Sequence, residues 1–264
     1  ARRTLISMLS GFCHEGRDRM KFSGVQHFYL ALSFLTRLPV PDIGRVDPAD
    51  MGRSALFYPL VGLIIGILLC LPLWLFSSAS PFLLAAILTI FWAIVTGGLH
   101  LDGVADGADA WLGGMGDEER THRILKDPLI GAAGAIAICS VLLLKFAALV
   151  VVLEQQLWGL VLFAPVLGRA SVLLLFLTTP YVRHGGLGSS VTAFLPKHLA
   201  GLIVLLVVLI ALSLSWQGLI AYLIALYLLR RLMLQRLRGC TGDTAGATIE
   251  LGEVFWLLGI GLSL

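Results

Sequence analysis

Seven apolar runs, at residues 55–76, 81–101, 130–153, 157–179, 199–215, 217–237 and 247–264, leave this chain little choice of architecture. A helix needs about 20 apolar residues to cross a bilayer. In lipid, a single segment satisfies all its backbone hydrogen bonds only as a helix. The pattern predicts an all-α polytopic membrane protein with about seven transmembrane helices. A shorter run, 28–38, ends at Pro39-Val40-Pro41 and reads as a short N-terminal interfacial or re-entrant helix. The chain is 58% hydrophobic and 13% charged, against about 25% charged in soluble domains. It divides into a basic N-terminal extension, 1–25, and a single integral-membrane domain, 26–264.

The loops carry a charge bias. Those at 77–80, 154–156 and 215–216 have no Lys or Arg, whereas the alternate ones carry Arg120, Arg123 and Lys126, then Arg183 and Lys197, then Arg238. Arg2, Arg3, Arg17, Arg19 and Lys21 precede the first span. By the positive-inside rule the N-terminus and every basic loop are cytoplasmic. No removed secretory signal is expected. The four cysteines, Cys13, Cys70, Cys139 and Cys240, are far apart and form no CxxC pair. Disulfides and zinc are therefore not expected.

Residues 97–111, GGLHLDGVADGADAW, place Asp102, Asp106 and Asp109 beside an apolar segment. An Asp at the bilayer centre costs about 2.5–3.5 kcal/mol on insertion scales. On a helix the i, i+4, i+7 spacing gathers these three within an arc of about 60°. Converging carboxylates suit a hard cation such as Mg²⁺. A second acidic cluster, Asp243, Glu250 and Glu253, lies in 241–253 (TGDTAGATIELGE). Asp243 reads either as a helix N-cap or as a further metal ligand. Glu250 reads as a ligand or as the partner of a structural Arg, and Glu253 alternatively as a solvated helix end.

Arg169 interrupts an apolar helix and requires an acid or a phosphate as partner. Residues 181–188 (YVRHGGLG) offer Arg183 and a glycine-rich loop to a phosphate, a weak signal alone. Asp127 is either a ligand or a turn residue, Arg37 an interfacial anchor or a contact, and His100 a packed histidine or a ligand. The candidate substrate-binding residues are Arg37, Asp127, Arg169, Arg183 and Lys197. The candidate metal ligands are Asp102, Asp106, Asp109, Asp243 and Glu250, the first three also catalytic. Carboxylates for a cation and arginines for phosphates are the equipment of phosphoryl-type transfer. The polar segments share the cytoplasmic side, so a site built from them faces cytoplasmic solutes. A cation- or proton-coupled transporter is the alternative reading of such acids.

Four segments resemble the cobalamin synthases, the adenosylcobinamide-GDP ribazoletransferases: 33–41 (SFLTRLPVP), 97–109, 125–134, and 241–244 with 250–253. They occur in family order and cover roughly 28–264. Pro128 and Cys240 depart from the family pattern, standing for a small polar residue and a glycine. The resemblance implies a Mg²⁺-dependent enzyme of the bacterial inner membrane. In its reaction the ribose 3′-hydroxyl of α-ribazole 5′-phosphate, or of α-ribazole, attacks the cobinamide-linked phosphate of adenosylcobinamide-GDP. GMP leaves, giving adenosylcobalamin 5′-phosphate or adenosylcobalamin. The expected partners are these two substrates, the lipid bilayer and other membrane-bound enzymes of cobamide assembly, with no nucleic acid.

Overall fold

The structure, a computed structural model, describes residues 23–183 and 187–264. The extension read at 1–25 falls almost wholly outside the described residues, as do His184, Gly185 and Gly186 of the glycine-rich loop. The fold is all-α. Its helices are α1 (Gly24–Leu35), α2 (Pro48–Ser54), α3 (Tyr58–Leu75), α4 (Pro81–Thr96), α5 (Leu99–Gly114), α6 (Glu118–Ile124), α7 (Ala132–Glu154), α8 (Trp158–Thr178), α9 (Leu187–Phe194), α10 (Lys197–Leu214), α11 (Trp216–Leu237) and α12 (Gly242–Gly261).

Five helical units are long and apolar enough to cross a membrane: Pro48–Leu75, α7, α8, α10 and α11. α4 and α5 together make a sixth, bent by 91°. The bend sits at Gly97 and Gly98, whose φ angles of +63° and +65° are the left-handed values that glycine adopts without a Cβ clash. Two of the seven expected spans therefore differ in kind. The second is a broken span or re-entrant pair. The seventh, α12, carries Asp243, Glu250 and Glu253 and is less apolar than a lipid-exposed span.

The reason lies in packing. α12 is wrapped by α5, α7, α8 and α11, and fourteen of its twenty residues are buried. A helix surrounded by protein has no lipid-facing stripe to keep apolar. α10 is the converse. It buries only Ala200, Val207 and Ala211 and turns Leu202, Leu205, Leu206 and Leu209 outward, as a lipid-facing helix must. Close helix contacts use small residues. Gly62 and Gly66 of α3 are spaced as GxxxG, and a Cβ on them would stand 2.4 and 2.2 Å from the carbonyl oxygens of Pro165 and Leu162 in α8. Such spacing lets backbones approach.

α1 is too short to span, and the short helix α2 packs against it. Ser23 and Gln26 form a capping box at the start of α1. His27 Nε2 lies 3.0 Å from Asp50 Oδ1, tying α1 to α2. α2 packs on α9.

Candidate active site

Of the second acidic cluster only Asp243 reaches the first, where α5 crosses the start of α12. Gly103 makes the crossing possible: a Cβ there would stand 2.2 Å from the carbonyl oxygen of Asp243. Asp102 and Asp106 flank this contact on α5, one exposed and one buried. They share one helix face, as residues four apart do.

Asp243 is not the N-cap of α12. Thr241 fills that role, accepting from the Thr244 N–H in a capping box. Asp243 instead accepts a hydrogen bond from Arg183 Nη1 at 3.0 Å. The segments leading to them are paired as well, since the Val182 and Cys240 N–H groups donate to the Cys240 and Pro180 carbonyls at 3.0 and 2.8 Å. Arg183 is thus held beside the α5–α12 crossing. A guanidinium has five N–H donors, so the bond to Asp243 leaves others for an anion. Nearby, Tyr181 is half-buried, and burial raises its phenol above the ordinary value.

Asp109 has a different position from its neighbours. Its carboxylate accepts the backbone N–H groups of Gly131 and Gly134 at 2.7 and 2.8 Å. It therefore caps α7 from another helix, where N–H groups lack intrahelical partners and the dipole favours a negative charge.

Glu250 and Arg169 lie elsewhere, in a buried ion cluster. Lys145 donates to Glu250 Oε2 and Glu253 Oε2, each at 2.7 Å. Arg169 Nη1 donates to Glu253 Oε1. All four side chains are at most 3% exposed, and Lys145 Nζ sits 4.4 Å from the Trp92 ring centroid. The reading of Glu250 as a metal ligand and of Arg169 as a phosphate contact gives way here to mutual neutralisation. Two cations meet two anions, which is what burial of charge demands. Glu253 is fully buried rather than a solvated helix end. The sequence reading missed Lys145. Its signal was one lysine in the apolar run LLLKFAALV of α7.

Asp127 forms a local turn, accepting the Leu129 N–H at 3.0 Å. Arg37 donates its backbone N–H to Val95 at 3.0 Å, and its exposed side chain lies against Gly97. Lys197 is exposed at the start of α10. Among the described residues no group of three or more His, Cys, Asp or Glu side chains is arranged to hold a metal ion. The five expected ligands do not converge. Asp102 and Asp106 lie four residues apart on α5, and a pair of carboxylates suits Mg²⁺ differently: that ion usually keeps several waters and is shared between one or two carboxylates and substrate phosphates.

Known proteins place the chain. The model of the cobalamin-5-phosphate synthase family matches residues 27–261. A Pseudomonas putida (strain W619) adenosylcobinamide-GDP ribazoletransferase is 50% identical over 240 residues, covering 89% of this chain and 98% of that protein. Enzymes of the same name from Stutzerimonas stutzeri (strain A1501) and Acinetobacter baumannii (strain ACICU) are each 50% identical. They cover 88% and 86% of this chain, and 96% and 93% of their own lengths. No solved structure matches. With motifs, fold and relatives in agreement, the chain belongs to the cobalamin-5-phosphate synthase family.

Proposed function

We infer that this chain completes a cobamide by joining adenosylcobinamide-GDP to α-ribazole or α-ribazole 5′-phosphate, and that the α5–α12 crossing is where it does so. The observation that supports the site is the close approach of Gly103, between Asp102 and Asp106 in sequence, to the carbonyl of Asp243, the residue that pairs with Arg183. A phosphoryl-type transfer needs charge neutralisation and positioning more than covalent chemistry from the protein.

In the step, the ribose hydroxyl oxygen forms a bond to the cobinamide-linked phosphorus. The bond from that phosphorus to the bridging oxygen breaks, and GMP departs with the bond's electron pair. A carboxylate of the Asp102–Asp106 pair accepts the hydroxyl proton. Arg183, oriented by Asp243, binds phosphate oxygens as charge shifts onto the leaving group. Asp109 fixes the start of α7 against α5 and keeps the pair in register. Mg²⁺, held by Asp102 and Asp106, would neutralise the diphosphate. The loop charges favour an orientation with this end of the bundle in the cytoplasm and the apolar helices in the inner membrane.

The test is turnover by purified protein in lipid nanodiscs supplied with both substrates and Mg²⁺. Wild type should release GMP, and Asp102→Asn and Asp106→Asn should lower kcat by a few orders of magnitude. Chelation should stop the reaction and added Mg²⁺ restore it. Near-normal turnover by folded variants of both aspartates would remove the pair from the chemistry.

A further inference from the structure

A cavity of about 220 Å³ lies between α1, α3, α5, α8, α9 and α12. Its wall is aromatic and aliphatic, with Phe34, Phe176, Val191, Ala245 and Ile249 among the lining residues. Tyr58 and His100 are the only lining side chains with a polar group among the described residues. His100 is 4% exposed, and neither ring nitrogen has a hydrogen-bond partner among the described residues. A buried imidazole left so is costly, because its desolvation is not repaid by a hydrogen bond. A ligand that accepts or donates one hydrogen bond removes part of that cost.

We propose that this cavity seats the dimethylbenzimidazole base of the ribazole nucleotide, with His100 hydrogen-bonded to its free ring nitrogen. The inference rests on the ribazole-transfer reading above and names the base subsite of that reaction. Size and polarity both select this ligand. Sites for drug-sized molecules run to about 300–1,000 Å³, so this one takes a flat fragment rather than a nucleotide. Once glycosidically bonded, dimethylbenzimidazole has one free ring nitrogen, and the rest of its edge is apolar. Guanine, on the other substrate, presents several donors and acceptors that this wall would leave unpaired. Position agrees. The cavity reaches Gly242 at the start of α12 and Leu99 and His100 in the first turn of α5. A base seated there leaves its ribose at the helix ends that carry Asp102 and Asp243.

The experiment compares steady-state kinetics for α-ribazole 5′-phosphate and for its analogue with unsubstituted benzimidazole, in wild type, His100→Leu, His100→Gln and Ala245→Leu. His100→Leu should raise KM for either nucleotide about tenfold, the loss of one buried hydrogen bond. KM for adenosylcobinamide-GDP should stay unchanged, and His100→Gln, which keeps a donor, should recover most of the loss. Ala245→Leu narrows the wall, so kcat/KM should fall about tenfold more for the dimethyl base than for the unsubstituted one. In wild type, free 5,6-dimethylbenzimidazole should inhibit competitively against α-ribazole 5′-phosphate, a measurement independent of whether any variant folds. Active wild type with non-competitive or no inhibition and unshifted base selectivity would overturn the proposal. So would a KM change confined to adenosylcobinamide-GDP. Wild type that transfers no ribazole at all would instead remove the parent reading.

Discussion

Replacing Lys145 with Met should strongly destabilise the protein, and a second change should undo much of the damage. Lys145 makes two hydrogen bonds of 2.7 Å to Glu250 and Glu253 in a setting at most 3% exposed. With it gone, two carboxylates face Arg169 alone, and the cluster passes from neutral to a net charge of −1. Removing one member of a buried ion pair costs about 3–5 kcal/mol, mostly from the charge left unpaired. The lost cation–π contact with Trp92 adds about 0.5–2 kcal/mol. Glu250→Gln alone leaves the cluster at +1 and should also destabilise it. Lys145→Met with Glu250→Gln returns the cluster to zero, leaving the Arg169–Glu253 pair. The two changes should therefore couple favourably by about 1–3 kcal/mol. The assay is unfolding in detergent for wild type, both single variants and the double variant, followed by near-UV circular dichroism. Strict additivity would show that net charge is not what the four side chains balance, and would refute the reasoning.

Asp109→Ala should leave the Gly131 and Gly134 amides uncapped. It should lower stability by about 1–2 kcal/mol, with faster hydrogen exchange at the first turn of α7. Asp109→Asn, which keeps one acceptor oxygen, should lose less. Burial pushes the Cys240 thiol up from 9.0 to about 12, so this cysteine should resist alkylation at neutral pH until the protein is denatured, as read by mass spectrometry. The raised value also fixes a pH dependence. The thiol's contribution to stability is complete below pH 9.0 and is lost as pH rises toward about 12. Cys240→Ser should flatten that part of the alkaline unfolding curve.

The sequence by itself determined the solvent of this protein and the neighbourhood of its chemistry. Apolar runs of membrane-spanning length admit only helices in lipid, and the pairing of HLDGVADGAD with TGDTAGATIELGE marked both strands of evidence for the family. Periodicity within one segment reports what that segment faces, so Asp102 and Asp106 were legible as one face of α5. Partners across the bundle were not. Lys145 and Glu250 are 105 residues apart, and no local pattern says which buried cation meets which buried acid. The same limit applies to Asp109, whose spacing matches that of Asp102 and Asp106 but whose carboxylate is taken by the start of α7. Glycine positions supply the physical reason. Gly62, Gly66 and Gly103 let backbones approach at particular registers, and those registers decided which charges neutralise each other, which acids stand at the α5–α12 crossing, and that a helix carrying three carboxylates is buried among four others.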